Sequence, residues 1–388
     1  MTQTILHLDL DAFFCAVEEL RLPELRGVAF AVGGRPGERG VVSSCSYAAR
    51  KFGIHSGMPM AQAVRLLPGL KVISGRHSAY GEISDRVMER LRDVTPGFEQ
   101  ISIDEAFLDI TGLREAPLEL ARRLQAEIRD QLGLPSSIGV ASNKLVAKIA
   151  TEVGKKSGKG DRPPFAITIV PAGEERAFLE SLPMEMLWGV GPKTASRLAG
   201  MGIRTIGDIA AWPQENLTAV FGEYGHELAR RARGEDDRMV VTEHEAKSMS
   251  QETTFARDVR DDRVLRRTLR RLSSDVAGYL RRSRLTASTI RLKLRWPNFT
   301  TLTRQMTLPQ RTDDEMIIAG TALELLDSVR KPGQAVRLIG VGVTGLADPV
   351  RQLELWDDGG ERSRRLASAI DALREKYGDA VIHRGEED

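Results

Sequence analysis

The chain has 388 residues, of which 41% are hydrophobic and 28% charged, enough apolar material for two or more separately cored domains. Lys and Arg number 56 against 54 Asp and Glu, so the net charge of +2 does not by itself announce a polyanionic partner. No apolar stretch approaches the ~20 residues that span a bilayer, and the N-terminus enters a strand pattern without a basic region and cleavable apolar segment. The expectation is a cytoplasmic protein with no membrane association. Cys15 and Cys45 are too few for a disulfide framework or a cysteine zinc site and read as reduced thiols.

In chain order, Leu6, Leu8 and Leu10 alternate with His7, Asp9 and Asp11, the period-two pattern of a strand with one buried face and both aspartates on the other. Helical spacing follows from Ala12 to Leu20, broken by Pro23 and Gly27 before a strand over Val28–Val32. Val41–Ser46 reads as a strand, Tyr47–Phe52 as a short helix and Met60–Leu67 as another. Ser78–Val94 is an amphipathic helix. Two short strands, Phe98–Ile103 and Ala106–Ile110, then flank the adjacent acids Asp104 and Glu105. Neighbouring strand residues face opposite ways, so these two can serve one site only where the chain bends. Leu118–Gln131, Ser136–Val140 and Asn143–Val153 continue as helix, strand and helix, which makes an α+β sheet domain.

Residues 171–232 are helical in pattern, with a glycine hairpin at Leu187–Ala195. Gly234–Ala246 is charged, lacks apolar periodicity and reads as a tether. Beyond it, Ser248–Phe255, Ala287–Arg295, Thr300–Thr307 and Val336–Val343 are strand-like, with helices at Arg263–Arg282 and Asp313–Val329, a second α+β domain. Between Arg257 and Arg304 fourteen Lys and Arg face four Asp. Such a block suits a phosphate backbone, and equally a solvated helix face.

Carboxylates at strand ends are hard oxygen ligands suited to Mg²⁺, which takes much of its shell from water and substrate phosphates. A two-metal phosphoryl-transfer site needs at least three of them, and Asp9, Asp104 and Glu105 form the best set. Asp11 falls where strand gives way to helix and is placed to cap that helix instead. Asp109 reads as a turn-making structural residue. Cations for a triphosphate are offered by Tyr47-Ala48-Ala49-Arg50-Lys51 and by Lys155, with surface solvation the competing reading. Gly154–Gly160 lacks the spacing and the Ser or Thr of a P-loop. Gly189-Val190-Gly191 lacks the strand and third glycine of a dinucleotide fingerprint, yet a hairpin at a helix start can hold a phosphate on backbone N–H groups. The six histidines show no zinc spacing and read as surface or packing residues.

The ordered series Asp9-Leu10-Asp11-Ala12-Phe13-Phe14, Tyr47-Ala48-Ala49-Arg50-Lys51-Phe52-Gly53, Ser102–Asp109, Gly139–Lys144, Gly189-Val190-Gly191-Pro192 and Thr300–Arg304 resembles the Y-family of translesion DNA polymerases, in the bacterial DNA polymerase IV (DinB) group. The resemblance covers nearly the whole chain. It implies a multidomain α+β right hand: palm at 1–10 and 75–170, fingers at 11–74, a helix-hairpin-helix thumb at 171–232, a linker at 233–246, an α+β little finger at 247–348, and a tail at 349–388. It implies template-directed, low-fidelity addition of dNTPs to a primer, without proofreading.

By the same resemblance, Asp9, Asp104 and Glu105 bind two Mg²⁺ with the Leu10 carbonyl. Tyr47, Arg50 and Lys155 hold the triphosphate. Phe14, next to Phe13 at the substrate, is a steric gate against a 2′-hydroxyl, and Val41 and Ser43 leave an open roof over the nascent pair. Primer-template DNA is expected on Gly189, Gly191 and Lys193 of the hairpin and on Arg291, Lys293, Arg295 and Arg304. Gln352, Leu353, Leu355 and Trp356 look like a sliding-clamp-binding segment, with packing on its own domain as the alternative. A monomer is expected. Where the family often has Lys-Pro-Asn-Gly, this chain has Lys155-Lys156-Ser157-Gly158 and a longer loop. The rival readings are a polymerase-like accessory protein without catalysis and a palm-type nucleotidyl cyclase.

Overall fold

A computed structural model describes residues 3–158, 160, 162–243 and 245–349, and the helical positions 369, 370, 372, 373, 376 and 377. It divides into two compact units, 1–244 and 245–388.

The first unit runs β1 (Ile5–Leu10), α1 (Phe13–Arg21), β2 (Phe30–Gly33), β3 (Val42–Cys45), α2 (Tyr47–Arg50), α3 (Met60–Leu66), β4 (Lys71–Ile73), α4 (His77–Arg92), β5 (Phe98–Gln100), β6 (Glu105–Asp109), α5 (Pro117–Leu132), β7 (Ser136–Ala141), α6 (Lys144–Ser157) and β8 (Ile167–Ile169). Five short helices follow: α7 (Glu175–Glu180), α8 (Pro192–Gly200), α9 (Ile206–Ala211), α10 (Gln214–Phe221) and α11 (Glu223–Ala232). The main sheet has the order β5-β6-β1-β7-β8, and a small sheet the order β3-β2-β4.

β1 is the central strand, antiparallel to both β6 and β7. Leu6, Leu8 and Leu10 point into a core with Val87 and Leu91 of α4 and Leu120 and Leu124 of α5. Each such side chain contributes roughly 1.5–3 kcal/mol of burial. The opposite face is covered as well, a departure from the half-exposed strand expected from alternation. Ile5 and Phe107 pack there with Leu145 and Ile149 of α6, and the same core continues into Leu179, Leu198, Ile209 and Leu228 of the short helices. Gly139 of β7 makes this cover possible, because a Cβ there would stand 2.1 Å from the Ala147 carbonyl oxygen. α6 therefore lies directly on the sheet, and His7 and Asp9 are roofed over.

The stretch expected to be a tether is instead laid along the first unit as far as Val241. Asn143 Nδ2 donates to the Gly234 carbonyl, the Leu145 N–H to Asp236, and the Val241 N–H to Glu99 Oε2 at 2.7 Å. Glu99 and Lys144 form an ion pair at 2.6 Å beneath it with both side chains 5% exposed. Charged residues suggested a solvated linker, but here Asp236 has its side chain only 4% exposed and the backbone of the stretch is tied down by buried partners from the first unit.

The second unit holds β9 (Ser248–Val259), α12 (Asp262–Arg282), β10 (Thr286–Arg295), β11 (Thr301–Thr312), α13 (Glu315–Val329) and β12 (Val336–Ala347). Its antiparallel sheet has the order β11-β10-β12-β9. Both helices pack on one face, where Leu265, Leu269, Val276 and Leu326 meet Ile290, Leu292, Leu294 and Val341. The other face carries the alternate residues.

Candidate active site

Asp9 on β1 stands directly opposite Glu105 on β6, and facing residues of an antiparallel pair project from the same side. Asp104 lies in the turn between β5 and β6. The Ile101 and Ser102 N–H groups donate back to the Glu105 carbonyl at 3.0 and 3.2 Å, and the Leu10 N–H donates to the Asp104 carbonyl at 2.9 Å. A bend thus separates the two acids, and the second is the first residue of its strand. Ser102 Oγ donates to Asp104 Oδ1 at 2.5 Å.

Around these acids α6 supplies cations from one stripe, at positions 148 and 155. Lys148 pairs with Glu105 Oε1, and Lys155 Nζ lies 2.5 Å from Asp9 Oδ1 and 4.0 Å from Asp11 Oδ1. Burial pushes the Asp9 carboxyl up to about 7 against the pull of Lys155. His7 lies 3.3 Å from Glu105 Oε1 through Nε2, and its Nδ1 is 2.8 Å from Thr151 Oγ1. Complete burial pushes His7 down to about 4, so the imidazole is neutral at pH 7. Glu105 is subject to the same burial, which raises it, yet ends at about 2. The contact with His7 is the largest pull that holds this carboxylate ionised against burial, and Lys148 adds a second.

Asp11 is fully buried and does not cap α1. The cap position is Ala12, in the left-handed region at φ 47°, and no side chain caps the helix. The turn at Ala12 leaves Asp11 facing Ser137, whose hydroxyl lies 3.0 Å from both carboxylate oxygens, while the Tyr47 hydroxyl donates at 3.5 Å. Burial raises its pKa. Tyr47 opens α2, capped by Ser46, and the Arg50 guanidinium lies over the Tyr47 ring at 4.5 Å. Tyr47, Arg50 and Lys155 are therefore gathered around Asp9 and Asp11.

Phe13 and Phe14 diverge. The Phe13 side chain is 2% exposed and belongs to the core, so it is not open to a substrate as expected. Phe14 is half-buried and stacks on Tyr80. Val41, just before β3, and Ser43 on it are both exposed. Asp109 accepts from the Thr111 N–H at 3.0 Å, in a turn.

Among the described residues no group of three or more His, Cys, Asp or Glu is arranged to hold a metal ion; the site carboxylates are turned to lysines and to hydroxyls. The donor set nonetheless consists of hard oxygen atoms, the chemistry that Mg²⁺ takes, and the paired ammonium groups sit on flexible stems. His7, Lys148, Thr151 and Ser137 were not singled out in the sequence. The signals were there: His7 shares the alternate face of β1 with Asp9, and Lys148 precedes Lys155 by two helical turns.

The nucleic-acid candidates sit on two surfaces. Gly189, at φ 104°, is held by the Tyr224 hydroxyl donating to its carbonyl at 2.8 Å, and Gly191 caps α8 ahead of exposed Lys193. In the second unit Arg291, Lys293 and Arg295 line the open face of β10, alternating with buried Ile290, Leu292 and Leu294. Arg304 does not join them. It is registered opposite Leu292, which puts it on the helix-bearing side. Gln352, Leu353, Leu355 and Trp356 lie outside the described residues.

Residues 8–152 match the impB/mucB/samB family, 246–355 its C-terminal domain, and 185–236 the family described as DNA polymerase-iota, thumb domain. A DNA polymerase IV of Dehalococcoides mccartyi (strain CBDB1) is 40% identical over 385 residues, covering 98% of this chain and 96% of the relative. A DNA polymerase IV of Streptomyces coelicolor is 43% identical over 370 residues, covering 94% and 75%. Among solved structures, a Y-family polymerase chimera of Dbh and Dpo4 superposes with a TM-score of 0.78 at 25% identity, covering 89% of this chain and 100% of that one. An insertion ternary complex of Dbh polymerase does so with 0.63 at 25% identity and the same coverage. Strand register, helix-hairpin-helix and relatives converge: the chain belongs to the Y-family DNA polymerases, with the palm, fingers, thumb and little finger of that fold, and is a translesion DNA-directed DNA polymerase of the DNA polymerase IV group.

Proposed function

We propose that this polymerase extends a primer by two-metal nucleotidyl transfer on the face shared by Asp9, Asp104 and Glu105, with the Leu10 carbonyl as a further ligand. The observation that supports it most is the register of Asp9 against Glu105, with Asp104 tied to Leu10 at the turn. When bound, Mg²⁺ would activate the primer 3′-hydroxyl and neutralise the leaving pyrophosphate. The chain's own residues do the rest. Lys148 and Lys155 occupy the carboxylates until substrate arrives, and their long stems let them turn away without backbone movement. Lys155 then joins Tyr47 and Arg50 on the triphosphate, a compact charge beside a forked one. Phe14 excludes a 2′-hydroxyl, and Val41 and Ser43 leave the nascent pair loosely covered, which favours low fidelity.

Primer-template DNA is gripped through phosphates by the Gly189–Lys193 hairpin and by Arg291, Lys293 and Arg295. Gln352, Leu353, Leu355 and Trp356 are proposed as a sliding-clamp ligand, and the protein as a cytoplasmic monomer. Primer extension with the pure protein, Mg²⁺ and dNTPs tests this reading. Incorporation on intact and damaged templates is expected; a failure on both would leave a DNA-binding accessory protein. Leu355→Ala with Trp356→Ala should abolish clamp stimulation and spare distributive synthesis.

A further inference from the structure

Glu18 is a fully buried acid that the chemistry above does not use. It lies on α1 four residues after Phe14, hence on the same side of that helix. Its Oε1 accepts from the Tyr80 hydroxyl at 2.8 Å. Its Oε2 is buried without a hydrogen-bond partner, with an Arg76 nitrogen 3.6 Å away. Tyr80, also fully buried, stacks face to face on Phe14, with ring centroids 4.4 Å apart and planes 14° from parallel. His77 meets the Phe14 ring edge-on at 6.0 Å.

We propose that Glu18, acting through Tyr80, is a positioning residue for sugar selection: it fixes where the Phe14 ring stands against the 2′ position of the incoming nucleotide. This rests on the gate reading of Phe14. A phenyl ring has no polar atom, so packing alone sets its place. Parallel stacking resists tilting but permits sliding in the ring plane, and a hydrogen bond at the far end of the backing ring removes that freedom. Because Glu18 and Phe14 share α1, the contacts Phe14–Tyr80–Glu18 close back on the helix they began from. The gate is thus referenced to its own backbone rather than to a mobile neighbour. If the position served only packing, an apolar side chain would fill it without the cost of burying a carboxyl group that has one oxygen without a hydrogen-bond partner. Steric exclusion of one oxygen atom depends steeply on distance, so a small slide of the ring matters.

The test measures kcat/KM for a dNTP and the matching rNTP in the full-length protein and its Phe14→Ala, Tyr80→Phe, Glu18→Leu and Glu18→Gln variants, with melting curves. Tyr80→Phe keeps the ring and removes only the hydroxyl. It and Glu18→Leu are expected to lower the dNTP-to-rNTP ratio about tenfold, or ~1.4 kcal/mol, through a rise in ribonucleotide kcat/KM. Glu18→Gln, which keeps an oxygen acceptor, should hold the ratio within about threefold of the parent. An unchanged ratio in Tyr80→Phe and Glu18→Leu, beside a collapsed one in Phe14→Ala, would overturn the anchor and keep the gate. Equal losses for both nucleotides would reduce Glu18 to a structural role and overturn it too. An unchanged ratio in Phe14→Ala would overturn the gate reading and the anchor together.

Discussion

Asp9 and Glu105 on the palm sheet and Arg291, Lys293 and Arg295 on the little-finger sheet are all charged residues on strands of a sheet, but their surroundings differ. The palm acids lie under α6, each against a lysine, and burial has shifted Asp9 far from its ordinary range. The little-finger cations stand on an uncovered face beside Gln305, Glu252 and Thr301, partners at 3.1, 2.6 and 2.9 Å. Water and salt reach the second set and are largely kept from the first. Buried charges act through position, because desolvation makes each misplaced partner costly. Exposed ones, on the DNA-binding role proposed for them, would act through number, each releasing counterions from DNA.

The largest effect should come from the buried set. Asp104→Asn is expected to lower kcat by about 10³-fold, with little change in DNA affinity or its salt dependence; a parallel loss of DNA binding would erase the contrast. Next comes the pair under the chain leading out of the thumb. Glu99→Ala leaves Lys144 buried without its carboxylate, which should cost ~3 kcal/mol or more, read as a lower denaturant midpoint. A midpoint within error of the parent would show that the pair is not isolated from water. On the exposed side, replacing Arg291, Lys293 and Arg295 with Ala should flatten the dependence of log affinity on log salt by about 0.9 per cation. Arg304→Ala, on the other side of that sheet, should change it less than any of the three, and an equal change would put both sides of the strand on DNA. The smallest effect concerns Cys15, where burial pushes the thiol up to about 12. Its thiolate fraction at pH 8 is then negligible, so iodoacetamide should label it only after unfolding.

Much of the palm was legible because its signals are local. Alternating leucines mark β1, the two-acid motif marks the turn into β6, and the helix spacing of 143–153 marks most of α6, which runs on to Ser157 and so carries Lys155. What failed was anything set by a second element arriving from far along the chain. The cover over β1 depends on α6 meeting Gly139, and the fate of Asp11 on an Ala12 turn that directs it to Ser137. Residues 234–241 looked solvated because their buried partners, Asn143, Leu145, Lys144 and Glu99, are about 90 or more positions away.

The sequence by itself determined the family and the α+β class and singled out the three acids Asp9, Asp104 and Glu105, since these reside in short motifs whose spacing survives without a fold. Tertiary structure alone decided the partners. His7 and Lys148 meet at Glu105, Phe13 turns inward while Phe14 stacks on Tyr80, and Arg304 parts from its neighbours by strand register. Such facts depend on which side chains meet across elements, and a linear pattern records faces and periods but not the residue waiting opposite.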